Sequence, residues 1–340
     1  MTEKKNRIIR LTRPPVVLAS AGLVGKKEGE GPLGDCFDEI VPDATFGKES
    51  WEQAESEMLR RTIELSLTKA QRLPATTDVI FAGDLQNQCT ASSFAAQTFS
   101  LPFCGLFGAC STMALALCMA AIGLDSGAFS TAVAATSSHF CTAERQFRHP
   151  LEYGGQRPPS AQWTVTGAGA AVLGRANAQP GGVQITAVQL GTICDLGVTD
   201  PANMGAAMAP AAKETIAAFL RFSRTVPDDY DLILTGDLGA VGSELLYALL
   251  KKEDGIDLMP VHNDCGLMIF DRASQDVHAG GSGCGCSASV LCAHILPRMQ
   301  RGELRRVLFV ATGALLSATS TLQKQSIPGI AHAVLFSRDN

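Results

Sequence analysis

The centre of this sequence lacks charge: no Asp, Glu, Lys or Arg occurs between residues 85 and 124. Its longest apolar run, residues 113–124, is well short of the roughly 20 residues needed to cross a bilayer. A helix without charge on any face is typical of one that is buried on all sides. The sequence therefore predicts a core helix here and no transmembrane segment.

The sequence also lacks a secretory signal and a dominant basic face, and these two absences limit the expected compartment and the expected kinds of partner. Residues 1–13 lack the apolar core of a secretory signal, and the eleven cysteines lie mostly in apolar stretches, which indicates free thiols in a reducing compartment. The formal net charge of −5 provides no dominant basic face, so nonspecific nucleic-acid binding is excluded. We expect synthesis in the cytoplasm and partners that are small molecules or protein surfaces.

The sequence also repeats itself. Three pairs of segments match in the same order: 83–85 with 236–238, 109–136 with 285–312, and 167–173 with 329–335. Cys110 lies near the start of the longest matched block, and Cys286 takes the same place in its copy. The repeat predicts an N-terminal half, residues 1–180, and a C-terminal half, residues 181–340.

The repeated halves have the pattern of an α/β fold. Four short apolar runs without alternation indicate strands buried on both faces: residues 79–82, 132–135, 233–235 and 307–311. Amphipathic helices are predicted at residues 51–72 and 205–221. We therefore predict two duplicated α/β halves whose two mixed sheets are layered between helices.

This layout, with Cys110 at the start of a buried helix, resembles the thiolase superfamily over nearly the whole chain. Residues 163–173 resemble the closing strand of the first half in ketoacyl synthases. Within the superfamily, residues 137–163 resemble the stage V sporulation protein AD family of spore-forming bacteria. The resemblance implies a thiolase-like fold.

The superfamily uses such a cysteine as a nucleophile toward acyl thioesters, since a helix N-terminus favours the thiolate. The partner residues of that chemistry are missing: Gly236 stands in the place of the motif histidine, and Ser282 in the place of the catalytic Asn or His. Neither can act as a general base near neutral pH, and one such group supplies about 10²–10⁴-fold in rate. We therefore expect a non-enzymatic protein with a vestigial Cys110.

Two alternatives stay open. His262 and His278 lie in irregular segments and could replace the missing base, whereas His294 and His332 are more typical of core residues. With such a base the chain would be a Cys110-dependent acyl transferase or a condensing enzyme acting on acyl-CoA or acyl-ACP. A docking platform with a vestigial pocket is the other reading.

The segment 139–163 breaks the repeat and carries the candidate ligand groups, since loops that depart from a scaffold often bear function. Its arginines suit planar carboxylates and its rings suit stacking, although solvated arginines paired with Glu144 and Glu152 would have the same pattern. The family resemblance implies binding of dipicolinic acid, a pyridine dicarboxylate, or of its calcium complex. The predicted site comprises Cys110, His139, Arg145, Arg148, Arg157, Trp163, Asp237 and Ser282.

The resemblance also implies partners. The chain would work with other SpoVA membrane proteins to move dipicolinate into the developing spore. These partners would hold the chain at the forespore or spore inner membrane. Superfamily members pair through a sheet edge, so a homodimer through residues 90–103 is expected. The sequence predicts no cofactor and no metal site of its own, because no oxygen-rich calcium loop occurs and the spacing of Cys284 and Cys286 is too tight for a metal. Calcium is therefore expected only in a complex with dipicolinate. Asp237 either caps a strand end or helps to hold that calcium.

Overall fold

A computed structural model describes residues 8–147, 156–179 and 181–338. The first half contains these strands and helices: β1 (Ile8–Arg10), β2 (Val16–Gly25), α1 (Lys26–Gly29), β3 (Glu39–Val41), α2 (Trp51–Lys69), β4 (Val79–Gly83), α3 (Thr90–Gln97), β5 (Phe103–Gly105), α4 (Thr112–Ser126), β6 (Thr131–Ser138), α5 (Phe140–Phe147), β7 (Trp163–Thr164) and β8 (Gly167–Gly174).

The second half repeats this pattern of strands and helices. Its elements are β9 (Gln184–Gln189), α6 (Met204–Ser223), β10 (Leu232–Thr235), α7 (Gly239–Asp254), β11 (His262–Asp264), α8 (Cys265–Met268), β12 (Gly281–Ser282), α9 (Cys284–Val290), α10 (Leu296–Gln300), β13 (Arg306–Ala314), α11 (Ala318–Leu322) and β14 (Gly329–Ser337). A π-helical turn, Leu291–Ile295, joins α9 to α10. The short apolar runs and the two amphipathic patterns of the sequence fall on β4, β6, β10, β13, α2 and α6 as predicted.

The two halves form sheets of the same topology. The first runs β5-β4-β6-β8-β2 and the second β11-β10-β13-β14-β9. In each, a parallel pair (β4 with β6, β10 with β13) is followed by an antiparallel one (β6 with β8, β13 with β14). The prediction of two separate sheets needs one correction: β2 and β9 pair at Val16 and Gln184, which makes one continuous hydrogen-bonded path.

The helices form three layers around these sheets. Helix α4 contacts β4 and β6 of the first half and β13 and β14 of the second, so it lies between the two sheets together with α9. Helices α2 and α3 pack on the outer face of the first sheet, and α6 packs on the outer face of the second with α7 beside it. The predicted α/β class with sheets layered between helices is confirmed.

The middle layer explains the uncharged segment. Of the described chain, only Ala109–Ser126 is long and apolar enough to cross a membrane, and 67% of it is buried inside the protein. Met113 and Leu117 of α4 are fully buried in the central core. Any charged side chain there would lie between two sheets without solvent, which costs several kcal/mol unless it is paired.

Truncating the middle layer is expected to destabilise the whole fold. Leu117→Ala should lower the free energy of unfolding by about 2–5 kcal/mol, because it leaves a cavity between the sheets. Denaturant unfolding of the purified protein measures this. The matched variant Leu322→Ala, at a side chain that is 85% exposed, should change it by less than about 0.5 kcal/mol. Equal losses in the two variants would contradict the layering.

Candidate functional site

Cys110 sits in a tight turn just before α4. Ala109 adopts a left-handed conformation, with φ of 50°, which a residue with a Cβ rarely takes, so the turn is locally strained. Cys110 itself is only 5% exposed and packs against Leu85, Ala143 and Cys284, with Phe147 against the same cluster. The turn therefore places the thiol at the start of the central helix, under the side chains of α5.

Asp237, just after β10, is the polar partner at this position. Its Oδ2 accepts hydrogen bonds from the Gly283 amide at 2.8 Å and the Ser282 hydroxyl at 3.2 Å. Its Oδ1 accepts from the hydroxyl of Thr312 at 3.0 Å, and the Cys110 thiol is close enough to the carboxyl group for each to shift the pKa of the other. The structure thus brings together three of the predicted residues: Cys110, Asp237 and Ser282.

Burial controls the protonation of this group of residues. It raises the pKa of Asp237 to about 7, although the hydrogen bonds from Cys110, Gly283 and Thr312 act in the opposite direction. Burial also raises the pKa of the Cys110 thiol well above its usual value, and the charge of Asp237 raises it further. The thiol therefore stays protonated near neutral pH, beside a carboxyl group whose own pKa is about 7.

Gly236 has no room for a histidine side chain. A Cβ atom added there would lie 3.1 Å from the Cα of Ala311 and 3.3 Å from the Cβ of Ser287, so the neighbours would have to give way. The next residue, Asp237, is the one whose side chain meets Cys110. The sequence therefore identified both the missing imidazole at Gly236 and the pocket residue Asp237, but not the effect of burial on the protonation of that carboxyl group.

The histidines in the described part of the chain are bonded elsewhere. His139 lies 5.6 Å from the Trp51 ring, its Nε2 donates to the Ala44 carbonyl at 2.8 Å, and its Nδ1 accepts from the Cys141 amide at 3.1 Å. Both ring nitrogens are used, and burial lowers the pKa of His139, so the ring is neutral. Its predicted role as a ligand group is not reflected in these contacts.

His262 and His278, the candidate substitute bases, contact residues other than Cys110. His262 bonds to the Tyr247 hydroxyl at 2.7 Å and to the Thr235 hydroxyl at 2.9 Å, and burial lowers its pKa to about 4. His278 lies 3.6 Å from the Asp276 carboxylate. Of the two predicted core histidines, His294 contacts Cys36 and His332 accepts a hydrogen bond from the Gly191 amide.

Arg145 lines a cleft that is separated from the Cys110 cluster by α5. The cleft has a volume of about 380 Å³ and is lined by Glu52, Gln86, Asn87, Thr142, Arg145, Gln146, Ser317, Ala318 and Thr319. Arg145 forms an ion pair with Glu52 across it. Arg148, another predicted ligand residue, lies outside the residues that the structure describes. The cleft borders the outer side of α5, whose Ala143 and Phe147 pack in the cluster around Cys110.

Arg157 and Trp163 form a separate cluster. Phe140 stacks on the Trp163 ring with centroids 3.9 Å apart, and the Arg157 guanidinium and the Lys27 ammonium lie 4.6 and 4.1 Å from that ring. Arg157 also bonds to the Asp276 carboxylate at 3.1 Å. Stacking of Trp163 on a bound ring stays a prediction; in this structure Phe140, Arg157 and Lys27 lie against the partly buried indole.

A buried acid near the cleft was missed by the sequence reasoning. Glu55 of α2 is fully buried, accepts hydrogen bonds from Gln86 and Ser137, and shares a third hydrogen bond with the hydroxyl of Thr142. The sequence position of Glu55 could have indicated its burial, because it lies next to Ala54 and three residues before Met58, both on the buried face of the helix. A carboxyl on that face requires partners, and the partners lie at the edge of the Cys110 cluster.

The fold is that of thiolase-like proteins of known structure. Human mitochondrial 3-ketoacyl-CoA thiolase has a TM-score of 0.59 to this chain at 12% identity, covering 98% of this chain and 100% of the other. OleA of Xanthomonas campestris gives 0.61 at 12% (97% and 99%). The 3-oxoacyl-[acyl-carrier-protein] synthase III of Aquifex aeolicus gives 0.56 at 13% (95% and 99%). At such identities the likeness shows the fold alone.

Sequence comparison is more specific than the fold. Residues 5–337 match the family model of stage V sporulation protein AD. The chain is also 47% identical over 325 residues to stage V sporulation protein AD of Bacillus subtilis (strain 168), covering 95% of each chain. The chain therefore belongs to the stage V sporulation protein AD family, a sporulation family with a thiolase-like fold.

The buried, protonated thiol predicts slow alkylation of Cys110. In native protein treated with iodoacetamide near pH 7.5, half-buried Cys141 should be modified much faster than Cys110, because only a thiolate reacts and Cys110 is both covered and held protonated. Peptide mass spectrometry over a time course measures both rates. Preferential labelling of Cys110 would show an activated nucleophile and contradict this description of the site.

Proposed function

We propose that the chain is a non-enzymatic protein that binds dipicolinate, or its calcium complex, at the thiolase-type pocket beside Cys110, for uptake into the developing spore. The observation that carries the proposal is the burial of Cys110, which is 5% exposed and has a carboxyl group, Asp237, as its titratable neighbour instead of a base. A covered thiol whose pKa is raised by burial and by a nearby carboxylate is a poor nucleophile. This favours binding over the alternative of Cys110-dependent acyl transfer.

The cleft beside α5 supports a small anionic ligand. Its volume of about 380 Å³ is in the range of ligand pockets, and its walls carry one guanidinium, amide groups and hydroxyls. The ion pair of Arg145 with Glu52 is partly exposed, with half of the Arg145 side chain accessible, and such pairs contribute little to stability. A ligand carboxylate could therefore replace Glu52 at a small cost and accept two hydrogen bonds from Arg145.

Calcium enters the proposal only with the ligand. Within residues 8–147, 156–179 and 181–338, no group of three or more His, Cys, Asp or Glu side chains could hold a metal ion. Glu52 offers oxygen atoms in the same cleft, and Ca²⁺ prefers oxygen donors. We propose that dipicolinate supplies most of the ligands for calcium. Asp237 is buried and accepts hydrogen bonds from Ser282, Gly283 and Thr312, which supports a role as a buried cap over one as a metal ligand.

Calorimetry with purified protein tests the ligand. Dipicolinate, with and without calcium, should bind with a dissociation constant below about 1 mM, and Arg145→Gln should weaken binding by about tenfold or more through the loss of a charge-assisted hydrogen bond. The matched control is Arg60→Gln, which removes another ion-paired arginine from the surface of α2. Absence of binding heat at millimolar dipicolinate would overturn the ligand assignment.

Membrane association is proposed to come from partners. The chain would act at the forespore or spore inner membrane by contact with other SpoVA membrane proteins. We also propose a homodimer through β5. Among the described residues, this strand pairs with β4 alone, so its outer edge can accept another strand. Three phenylalanines nearby are exposed: Phe94 by 60%, Phe103 by 37% and Phe107 by 51%.

Sedimentation velocity tests the dimer. The parent protein should sediment as a dimer at micromolar concentration, and Phe94→Glu should shift it to the monomer, since a charge would be buried in the interface. Leu73→Glu, at another exposed apolar residue that lies after α2, should leave the dimer intact. A parent protein that is monomeric across the concentration range would overturn the proposal.

A further inference from the structure

Helix α5 closes the Cys110 cluster from the side of the cleft. Its Ala143 and Phe147 pack in that cluster, and the Gln146 side chain donates to the Leu85 carbonyl at 2.9 Å and accepts from the Asn87 amide at 3.1 Å. A ligand that reaches Cys110 from the cleft has to displace this helix. What fastens α5 therefore controls access to the thiol.

One buried acid, Glu55, fastens the first turn of α5. Its Oε2 lies 2.6 Å from the hydroxyl oxygen of Thr142 and 2.8 Å from the amide nitrogen of Gln86. Its Oε1 lies 3.1 Å from the hydroxyl of Ser137. Glu55 and Ser137 are fully buried and Thr142 nearly so. The contact between α2 and α5 thus includes a carboxyl group that has no access to water.

The protons available at Thr142 indicate which form of Glu55 is present. The Thr142 oxygen is 2.6 Å from Glu55 and 2.9 Å from the carbonyl oxygen of His139. A hydroxyl has one proton to donate, so an ionised Glu55 would compete with His139 for it. A protonated Glu55 satisfies both contacts, because it donates to Thr142 and Thr142 donates to His139.

The surroundings favour the same form. Asp84 is a neighbouring acid, and its oxygens accept from the Gln86 amide at 2.8 Å and from the Ser92 amide and hydroxyl at 2.7 Å each. Burial raises the pKa of Asp84 as well, but these three donors favour its ionised form, so we assign the proton of the pair to Glu55. Burial, with the charge of Asp84, raises the pKa of Glu55 to about 8. From α9, the thiol of Cys284 is a further titratable group whose pKa is affected by the charge of Glu55.

We propose that Glu55 is a proton-operated latch on α5. In its protonated form it holds the helix over Cys110 through Thr142, and when it ionises the helix is released. That the latch controls ligand access to Cys110 rests on the function proposed above. The release of α5 on ionisation of Glu55 does not require a ligand.

Linkage gives the direction and the pH window. The pKa of Glu55 is raised in the closed state and returns toward its ordinary value of about 4.5 when α5 opens and the group is solvated. Closure is therefore strongest below about pH 4.5 and weakens as the pH rises to about 8. Within that window, each pH unit changes the closing equilibrium by about tenfold.

Hydrogen exchange of the full-length protein without ligand tests the latch. After correction for intrinsic exchange, the protection of the α5 amides should fall by about a hundredfold between pH 6 and pH 8. The amides of α6 serve as an internal control and should show no such change. In Glu55→Gln, which is uncharged at every pH and keeps a donor for Thr142, α5 protection should be independent of pH.

A second variant keeps the test decisive. Thr142→Val removes the hydroxyl that joins Glu55 to α5, so α5 should be weakly protected with a much smaller dependence on pH. The proposal is overturned if α5 protection in the parent is constant from pH 6 to 8, or if Glu55→Gln keeps the parent's slope. A failure of dipicolinate binding in calorimetry would leave this result standing, so the two proposals fail separately.

Discussion

The position of the central helix between two sheets is the constraint on which the rest of this structure depends. Helix α4 contacts strands of both halves, so most of its residues are buried, and its sequence contains no charge before Asp125. The same layering brings the turn at Cys110 close to the glycine-rich loop that precedes α9. The site therefore forms where the two halves meet, and neither half contains all of it.

Burial explains the chemistry of the site better than the identity of single residues does. A thiolate needs positive charge or a base nearby, and here the thiol meets a carboxylate that already accepts three other hydrogen bonds. Glu55 and Asp84 are two further buried carboxyl groups, and they lie at the edge of the Cys110 cluster. In each place, hydroxyl and amide donors take the role that a cation has in most buried ion pairs.

Much of the fold could be predicted from the sequence because its signals are local. The apolar runs marked β4, β6, β10 and β13, and the amphipathic patterns marked α2 and α6. The joining of the sheets at Val16 and Gln184 could not be predicted, since one pair of residues leaves no periodic pattern. For the site, the repeat located Cys110, Asp237 and Ser282. It could not locate the partners of Arg157, His139 or Glu55, because those contacts join segments far apart in the chain.

The start of α5 has one more property. The chain has two tryptophans, Trp51 and Trp163, and each lies against a residue at this end of the helix. The ring of His139 is 5.6 Å from Trp51, and the ring of Phe140 is stacked 3.9 Å from Trp163. Tryptophan emission depends on what touches the indole. The intrinsic tryptophan fluorescence of this protein therefore reports on the position of α5, the helix that covers the Cys110 thiol, without any added label.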